Sequence, residues 1–346
     1  MKSAVLTGLN TFEFLEKEQP RIKEETDVLI RMERVGVCGS DIHYFTEGGI
    51  GNAKVDYPFS VGHEGAGTVI ETGSGVASVK SGDRIAIDPA MSCFSCDQCN
   101  AGRPHTCRNL KFLGCPGEAE GCLSEFIVMP EKSCFPIPDS MSFDQAVISE
   151  PLAIGVYGVK RSGFKAGNRT GIFGAGPVGL SVLVALRYRK AGPIYVSEKI
   201  AERRETALRA GAVWAGNPQT ENISQRIKER APEGLDVVFE CCGEQEAIRD
   251  GIEALRPGGT LVIIGIPSID TVIFNPHMIR RKEIDILNIR RQNGCVQETL
   301  DMIAEKKVDV DFMITHTFPF KRVGDAFTLV AGYEDGVIKA MIDIRT

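Results

Sequence analysis

The sequence predicts an α/β chain in two parts: a β-rich part that opens it, and a doubly wound parallel sheet that follows. Three observations carry this. Short apolar runs broken by Gly, Pro and Asp fill the first part. Alternating strand and helix patterns begin at about residue 152. Inside that second part, a glycine-rich turn joins a strand to a helix. A length of 346 residues suits about two domains of ordinary size.

In the first part, strands are expected at 28–32, 67–70 and 84–87, with Ser81-Gly82-Asp83 turning the chain before the last of them. In the second, 171–173 reads as a strand and 177–189 as a helix with Pro177 in its first turn, where a missing N–H costs little. A strand at 194–196 and a helix over 201–210, stopped by Gly211, follow. The runs 236–240 and 260–264 are almost continuously apolar, as strands covered on both faces are. Beyond about residue 290 the alternation fades; 298–306 reads as a helix and 339–344 as a closing strand.

Apolar residues make up 43% and charged residues 25%, with a formal net charge of -6. No basic tract stands out, which argues against nucleic acid as a partner. No apolar run approaches the roughly 20 residues that span a bilayer, and the opening residues lack signal-peptide regions. The expectation is a cytoplasmic protein with a small-molecule substrate.

Four of the eleven cysteines stand at Cys93-x2-Cys96-x2-Cys99-x7-Cys107. Four thiolates at this spacing close a tetrahedron around zinc and leave no position for a substrate, so the role is structural. An iron–sulfur run would have a shorter last gap followed by proline, whereas Arg108 follows Cys107. His105 is expected at the surface. Cys115, Cys122, Cys134, Cys241, Cys242 and Cys295 follow no ligand spacing and read mostly as small apolar residues.

A second constellation mixes donors: Cys38-Gly39-Ser40-Asp41-Ile42-His43, then Gly62-His63-Glu64, with Glu150 at the junction of the two parts. Cys38, His63, Glu64 and Glu150 offer S, N and O ligands, which suits a metal left open to substrate. Such an ion acidifies an oxygen bound to it. Ser40 and His43 then form a relay for the released proton, and Asp41 is placed to hold a ligand histidine.

Gly174-Ala175-Gly176-Pro177-Val178-Gly179 fits G-x-G-x-x-G in its required strand-to-helix setting. Gly174 permits the turn, Gly176 admits the pyrophosphate, Gly179 lets helix and strand pack, and Pro177 and Val178 open the helix whose N-terminus faces the phosphates. Glu198 ends the second strand of this unit. It can accept hydrogen bonds from ribose hydroxyls and repels a 2′-phosphate, favouring NAD over NADP; Lys199, Arg203 and Arg204 are cations that could receive that phosphate instead.

Together these residues resemble the zinc-containing medium-chain dehydrogenase/reductase superfamily, and within it the sorbitol (polyol) dehydrogenase-like branch. The carriers are 38–44, 49–52, 62–64, 150–152 and 174–179. The resemblance implies a GroES-like β-rich catalytic domain from both chain ends (1–151 and 290–346), an inserted Rossmann domain (152–289), and an active site in the cleft between them. It implies two zinc ions, with Glu64 joining Cys38 and His63 on the catalytic one, and Glu150 touching the metal or its water. It also implies that Tyr44, Phe112 and Arg290 line a polyol pocket, that Arg203 contacts adenosine ribose, and that the protein is a homo-oligomer, dimer or tetramer. The run Arg290-Arg291-Gln292-Asn293 departs from the branch's usual aromatic-containing segment, and its extra cation could suit a phosphorylated or carboxylated sugar alcohol.

The expected reaction is reversible oxidation of a secondary alcohol of a polyol or sugar derivative to a ketone with NAD. Dehydrogenation of amino alcohols or simple alcohols is the alternative, and a non-catalytic NAD-binding protein with structural zinc alone is the third.

Overall fold

The computed structural model describes residues 1–267 and 269–346. The chain divides into two compact units: Met1–Glu150 with Val296–Lys306 and Met313–Thr346, and Pro151–Cys295 with Lys307–Phe312. The helix Phe143–Arg161 carries the boundary. No helix among the described residues is long and apolar enough to cross a membrane.

The first unit is organised around the strand Asp27–Gly36, whose Val28, Ile30, Met32 and Val35 are buried. Each fully buried aliphatic side chain of this kind contributes about 1.5–3 kcal/mol. The strand pairs antiparallel with Glu64–Thr72 on one side and with Lys339–Asp343 on the other, while Phe126–Pro130 pairs with its opening residues. The sheet continues through Arg84–Ile87 and Cys134–Pro136 at one edge and Ile314–Pro319 at the other. Gly36 stands opposite both Glu64 and Met341. Three strand ends from distant parts of the sequence therefore converge on one point. The strands expected at 28–32, 67–70 and 84–87 all lie within this sheet.

The second unit is a parallel sheet in the spatial order Trp214–Gly216, Ile194–Ser197, Thr170–Phe173, Leu235–Glu240, Leu255–Ile263, Asp285–Asn288. In chain order this is 3-2-1-4-5-6, the doubly wound arrangement, with its reversal between the strands Thr170–Phe173 and Leu235–Glu240. Every residue of Thr170–Phe173 and Ile194–Ser197 is buried, as expected for strands covered on both faces. The strand expected at 260–264 begins earlier, at Leu255, and runs through Pro257-Gly258-Gly259 with a register irregularity. Its Pro and Gly, with Gly258 at φ +69°, read as a turn in sequence but are accommodated as a kink in the ladder.

Lys282 closes a helix that is not its own. It ends the helix Pro276–Lys282, and its Nζ donates to Ile252 O (3.0 Å), Glu253 O (2.8 Å) and Leu255 O (2.7 Å) at the end of the helix Gln245–Ala254. These carbonyls have no partner within their helix, so the ammonium group acts as the missing C-cap. Partial burial lowers the lysine pKa. Lys282→Met should lower the thermal or urea midpoint of this unit by the equivalent of about 1–3 kcal/mol, with Lys282→Arg recovering part of the loss. An unchanged midpoint in the Met variant would remove Lys282 as a cap.

Candidate active site

Cys38 leaves the end of the central strand and serves as the N-cap residue of the helix Gly39–Glu47. Asp41, on the first turn of that helix, is completely buried. Its Oδ2 accepts Cys38 N (3.1 Å), and its Oδ1 accepts Gly62 N (3.2 Å) and His63 Nδ1 (3.2 Å). A carboxylate can only accept, so Nδ1 carries a proton, and Nε2 is the ring nitrogen that does not face Asp41. One aspartate thus sets the backbone of one donor residue and the tautomer of another. Burial disfavours charge on His63, but Asp41 and Cys38 oppose it and hold the imidazole pKa well above its ordinary value.

Donor atoms of Cys38, His63 and Glu64 lie within 4.8 Å of one another. Glu64 is also gripped from behind. Lys339 Nζ donates to Glu64 Oε1 (2.7 Å) and Oε2 (2.6 Å) and to Val37 O (3.0 Å). Both side chains of this pair are at most 1% exposed. Burial works against the lysine charge, but Glu64 and then Cys38 more than offset it, and the pKa lies above that of a free lysine. The carboxylate has room only because residue 36 is glycine: a Cβ there would stand 2.3 Å from Glu64 Oε2.

Glu150 is 5% exposed, and its Oε2 has no hydrogen-bond partner among the described residues. Burial pushes its pKa up to about 7; His63 and Lys339 pull it back, while Glu64 and Asp88 add to the rise. A thiol, an imidazole and a carboxylate therefore meet at one place, with Lys339 against the carboxylate and Glu150 near enough for His63 and Glu64 to shift its pKa. The donor set fits a divalent metal of the zinc type.

Ser40 Oγ lies 3.5 Å from Cys38 Sγ, and His43 Nδ1 lies 2.9 Å from Glu47 Oε1 one helical turn on. Ser40 and His43 are not hydrogen-bonded to each other among the described residues. Tyr44 is buried, with its OH 3.8 Å from Cys115 Sγ, and the Phe112 ring lies 5.3 Å from that of His63. Arg290 is an exposed residue of the second unit. Cys115 and Lys339 were missed in sequence. The signal for Lys339 was present: one lysine inside the apolar run Val337-Ile338-Lys339-Ala340-Met341-Ile342.

The sulfurs of Cys93, Cys96, Cys99 and Cys107 also lie within 4.8 Å of one another. Neighbouring Sγ···Sγ distances are 3.4 Å (Cys93–Cys107), 3.6 Å (Cys96–Cys99) and 3.9 Å (Cys96–Cys107). A tetrahedron with Zn–S bonds of about 2.3 Å has edges of about 3.8 Å, so these spacings match. Hydrogen bonds from Ser95 lead the lowering of the Cys93 pKa to about 5, whereas burial pushes Cys99 up to about 12. His105, expected at the surface, is instead buried at 6% exposure within the short 3-10 turn Pro104–Thr106. The expectation treated an isolated polar side chain as solvated, but the compact thiol lobe folds this turn inward. Cys115, Cys122, Cys134 and Cys295 are buried as expected; Cys241 is half-buried and Cys242 is exposed.

The glycine turn follows the strand Thr170–Phe173 and leads into the helix Pro177–Tyr188, with Gly176 as N-cap. Gly174 has φ +94°, and a Cβ on Gly179 would stand 1.9 Å from Gly174 O, so both positions require glycine. A Cβ on Gly176 would meet only Arg203 Nη1, at 3.5 Å, which leaves space above the helix N-terminus for an anion. Glu198 is buried; its Oε2 accepts Ala175 N (2.7 Å) and its Oε1 accepts Ile200 N (2.9 Å). Arg203 is buried, and Arg204 Nη1 is engaged by Glu198 O and Lys199 O, both at 2.8 Å. The cradle fits a dinucleotide.

Comparison with known proteins gives the same assignment. The family described as "Alcohol dehydrogenase GroES-like domain" matches residues 24–139, and that described as "Zinc-binding dehydrogenase" matches 177–305. The chain is 33% identical over 343 residues to the sorbitol dehydrogenase of Bacillus subtilis, covering 99% of this chain and 97% of that one. A protein of Sinorhizobium meliloti 1021 assigned as a zinc-binding dehydrogenase, solved bound to NADP, aligns with a TM-score of 0.89 at 29% identity, covering 99% and 98% of the two chains. A short chain alcohol dehydrogenase of Escherichia coli CFT073, solved with NADH, aligns with a TM-score of 0.91 at 27% identity, covering 99% of each. With its mixed-donor site, thiol lobe and dinucleotide turn, the chain belongs to the zinc-containing medium-chain dehydrogenase/reductase superfamily, in its sorbitol dehydrogenase-like branch.

Proposed function

We propose that this enzyme reversibly oxidises a secondary alcohol of a polyol or sugar derivative to the ketone, with NAD as hydride acceptor and two zinc ions per chain. The observation that carries the reading is the convergence of Cys38, His63 and Glu64 within 4.8 Å of one another, supported by the buried Glu150, whose pKa His63 and Glu64 shift and whose Oε2 has no hydrogen-bond partner among the described residues. Cys38, His63 and Glu64 would hold one ion, with Glu150 beside them, and Cys93, Cys96, Cys99 and Cys107 the other. At the open site zinc supplies Lewis acidity, of the kind that lowers the pKa of a bound water from 15.7 to about 7.

The chain's own residues do the rest. Asp41 keeps the proton on His63 Nδ1, leaving Nε2 to bind. Lys339 pairs with both carboxylate oxygens of Glu64 in a dry site and sets where that carboxylate stands. Ser40, whose Oγ lies beside Cys38 Sγ, takes up the proton of the substrate hydroxyl, and His43, on the same helix and bonded to Glu47, delivers it towards solvent. Phe112 and Tyr44 shape the substrate side, with Cys115 against the tyrosine hydroxyl.

NAD is favoured over NADP by the Glu198 carboxylate, which repels a 2′-phosphate, and by Arg204, which is already committed to backbone carbonyls. Arg203, whose Nη1 would stand 3.5 Å from a Cβ on Gly176, is the cation we assign to the adenosine ribose. The sorbitol dehydrogenase relative supports a polyol substrate.

A panel of polyols, sugar acids, sugar phosphates, amino alcohols and simple alcohols, assayed with NAD and NADP alongside elemental analysis, tests the reading. The expected result is NAD-linked oxidation of a polyol or sugar derivative, about two zinc ions per chain, and loss of turnover when the more labile ion is removed. Turnover unchanged after verified loss of that ion rules the mechanism out, and turnover confined to amino or simple alcohols rules the substrate class out. Lys339→Met leaves Glu64 buried and uncompensated, so it should destabilise the first unit by about 3–5 kcal/mol and lower kcat/KM. Wild-type stability and kcat/KM in that variant would show that the pair does not matter.

A further inference from the structure

Glu240 has no part in the reaction just described. It ends the strand Leu235–Glu240 opposite Phe173, the last residue before the glycine turn, and it is 0% exposed. Its Oε1 accepts Cys242 N (2.7 Å) and Gly243 N (2.6 Å), while its main-chain oxygen accepts Ile264 N (2.8 Å) and Gly265 N (3.1 Å). One residue thus ties the turn 241–243 to the end of the neighbouring strand. That turn lies against the glycine turn: Cys241 N donates to Phe173 O (2.8 Å), and a Cβ on Gly174 would stand 2.8 Å from Cys242 Cβ.

Two glycines close around the carboxyl. Gly243 has φ +76°, and a Cβ on Gly265 would stand 2.2 Å from Gly243 N and 2.7 Å from Glu240 Oε2. Glycine at both positions lets these two stretches of main chain approach each other closely. Oε2 has no hydrogen-bond partner among the described residues, and burial raises the carboxyl pKa against the pull of the backbone donors. An apolar residue would fill this position without stranding an oxygen, so the carboxyl earns its place by what it holds.

The position is informative. A dinucleotide crosses such a sheet where the strand order reverses, which here is between Thr170–Phe173 and Leu235–Glu240. On one flank of the first strand Glu198 holds Ala175 N. On the other flank Glu240 holds Cys242 N and Gly243 N. We propose that Glu240 is a positioning residue for the nicotinamide half of the coenzyme, fixing the turn 241–243 as the wall against which that half lies. The proposal rests on the dinucleotide reading given above.

Titration calorimetry of wild type, Glu240→Ala and Glu240→Gln with NADH and with ADP-ribose tests it. Glu240→Ala should weaken NADH by about tenfold or more while leaving ADP-ribose within about twofold. Glu240→Gln, which keeps an acceptor for both N–H groups, should remain within about threefold of wild type for NADH. An equal loss for both ligands, or no loss for either, overturns the assignment. A wild-type protein that binds neither ligand fails the dinucleotide reading instead, so the two failures are distinct. Should Glu240→Ala not fold, amide hydrogen exchange in the wild-type protein decides: NADH should slow exchange over 241–244 by about threefold or more and ADP-ribose should not. Equal protection by both ligands, or none, overturns the proposal.

Discussion

The buried ion pair between Glu64 and Lys339 is the constraint around which the first unit is arranged. An ammonium group without contact with water is tolerated only beside an ionised, hydrogen-bonded partner. Lys339 has that partner, and a third bond to Val37 O. The pair therefore fixes the register in which Lys339–Asp343 and Glu64–Thr72 flank the central strand, and it explains why the position between them is glycine. It also leaves the donor site unbalanced. Cys38, Asp41, Glu64 and Glu150 can all be anionic, against one lysine. Asp41 and Cys38 raise the His63 pKa and burial raises that of Glu150, so both groups favour a bound proton as the compensating positive charge. A dication would take over that role, which is why this set of side chains suits a metal.

The second unit solves a related problem with main chain instead of side chains. Its glycine turn offers N–H groups and space, and carboxylates on either side of the first strand hold the adjoining backbone in place. Because Cys242 N and Gly243 N donate to the buried Glu240, the turn 241–243 is set before any ligand arrives. Preorganisation of this kind reduces the ordering that binding would otherwise require.

Much of this was legible in the sequence. The ligand cysteines, Gly62-His63-Glu64 and the G-x-G-x-x-G turn are local patterns whose spacing encodes their geometry, and the buried strands 170–173 and 194–197 announce themselves by composition. What could not be read were consequences of tertiary pairing. Lys339 acquires its role only when a strand near residue 340 lies beside the one that ends at Gly36. His105 is buried because of how the thiol lobe folds, not because of its neighbours in sequence. Cys242 is exposed because it sits on a turn at a strand end, although Cys241-Cys242 continues an apolar run. The apolar run 260–264 marks only the later part of the strand Leu255–Ile263, whose earlier part passes through a Pro-Gly-Gly that the ladder absorbs.

The 275 residues separating Glu64 from Lys339 have a kinetic corollary. All of the nucleotide-binding sheet is made between them, so on the ribosome the donor cluster waits, its acidic member unaccompanied, until the later lobe has emerged. Closing so long a loop costs little more than closing one of half the length, yet contacts of such separation are formed slowly. The four sulfurs of the cysteine-rich lobe are close neighbours in sequence and come together from one short stretch, whereas the donor cluster waits for strands made far apart.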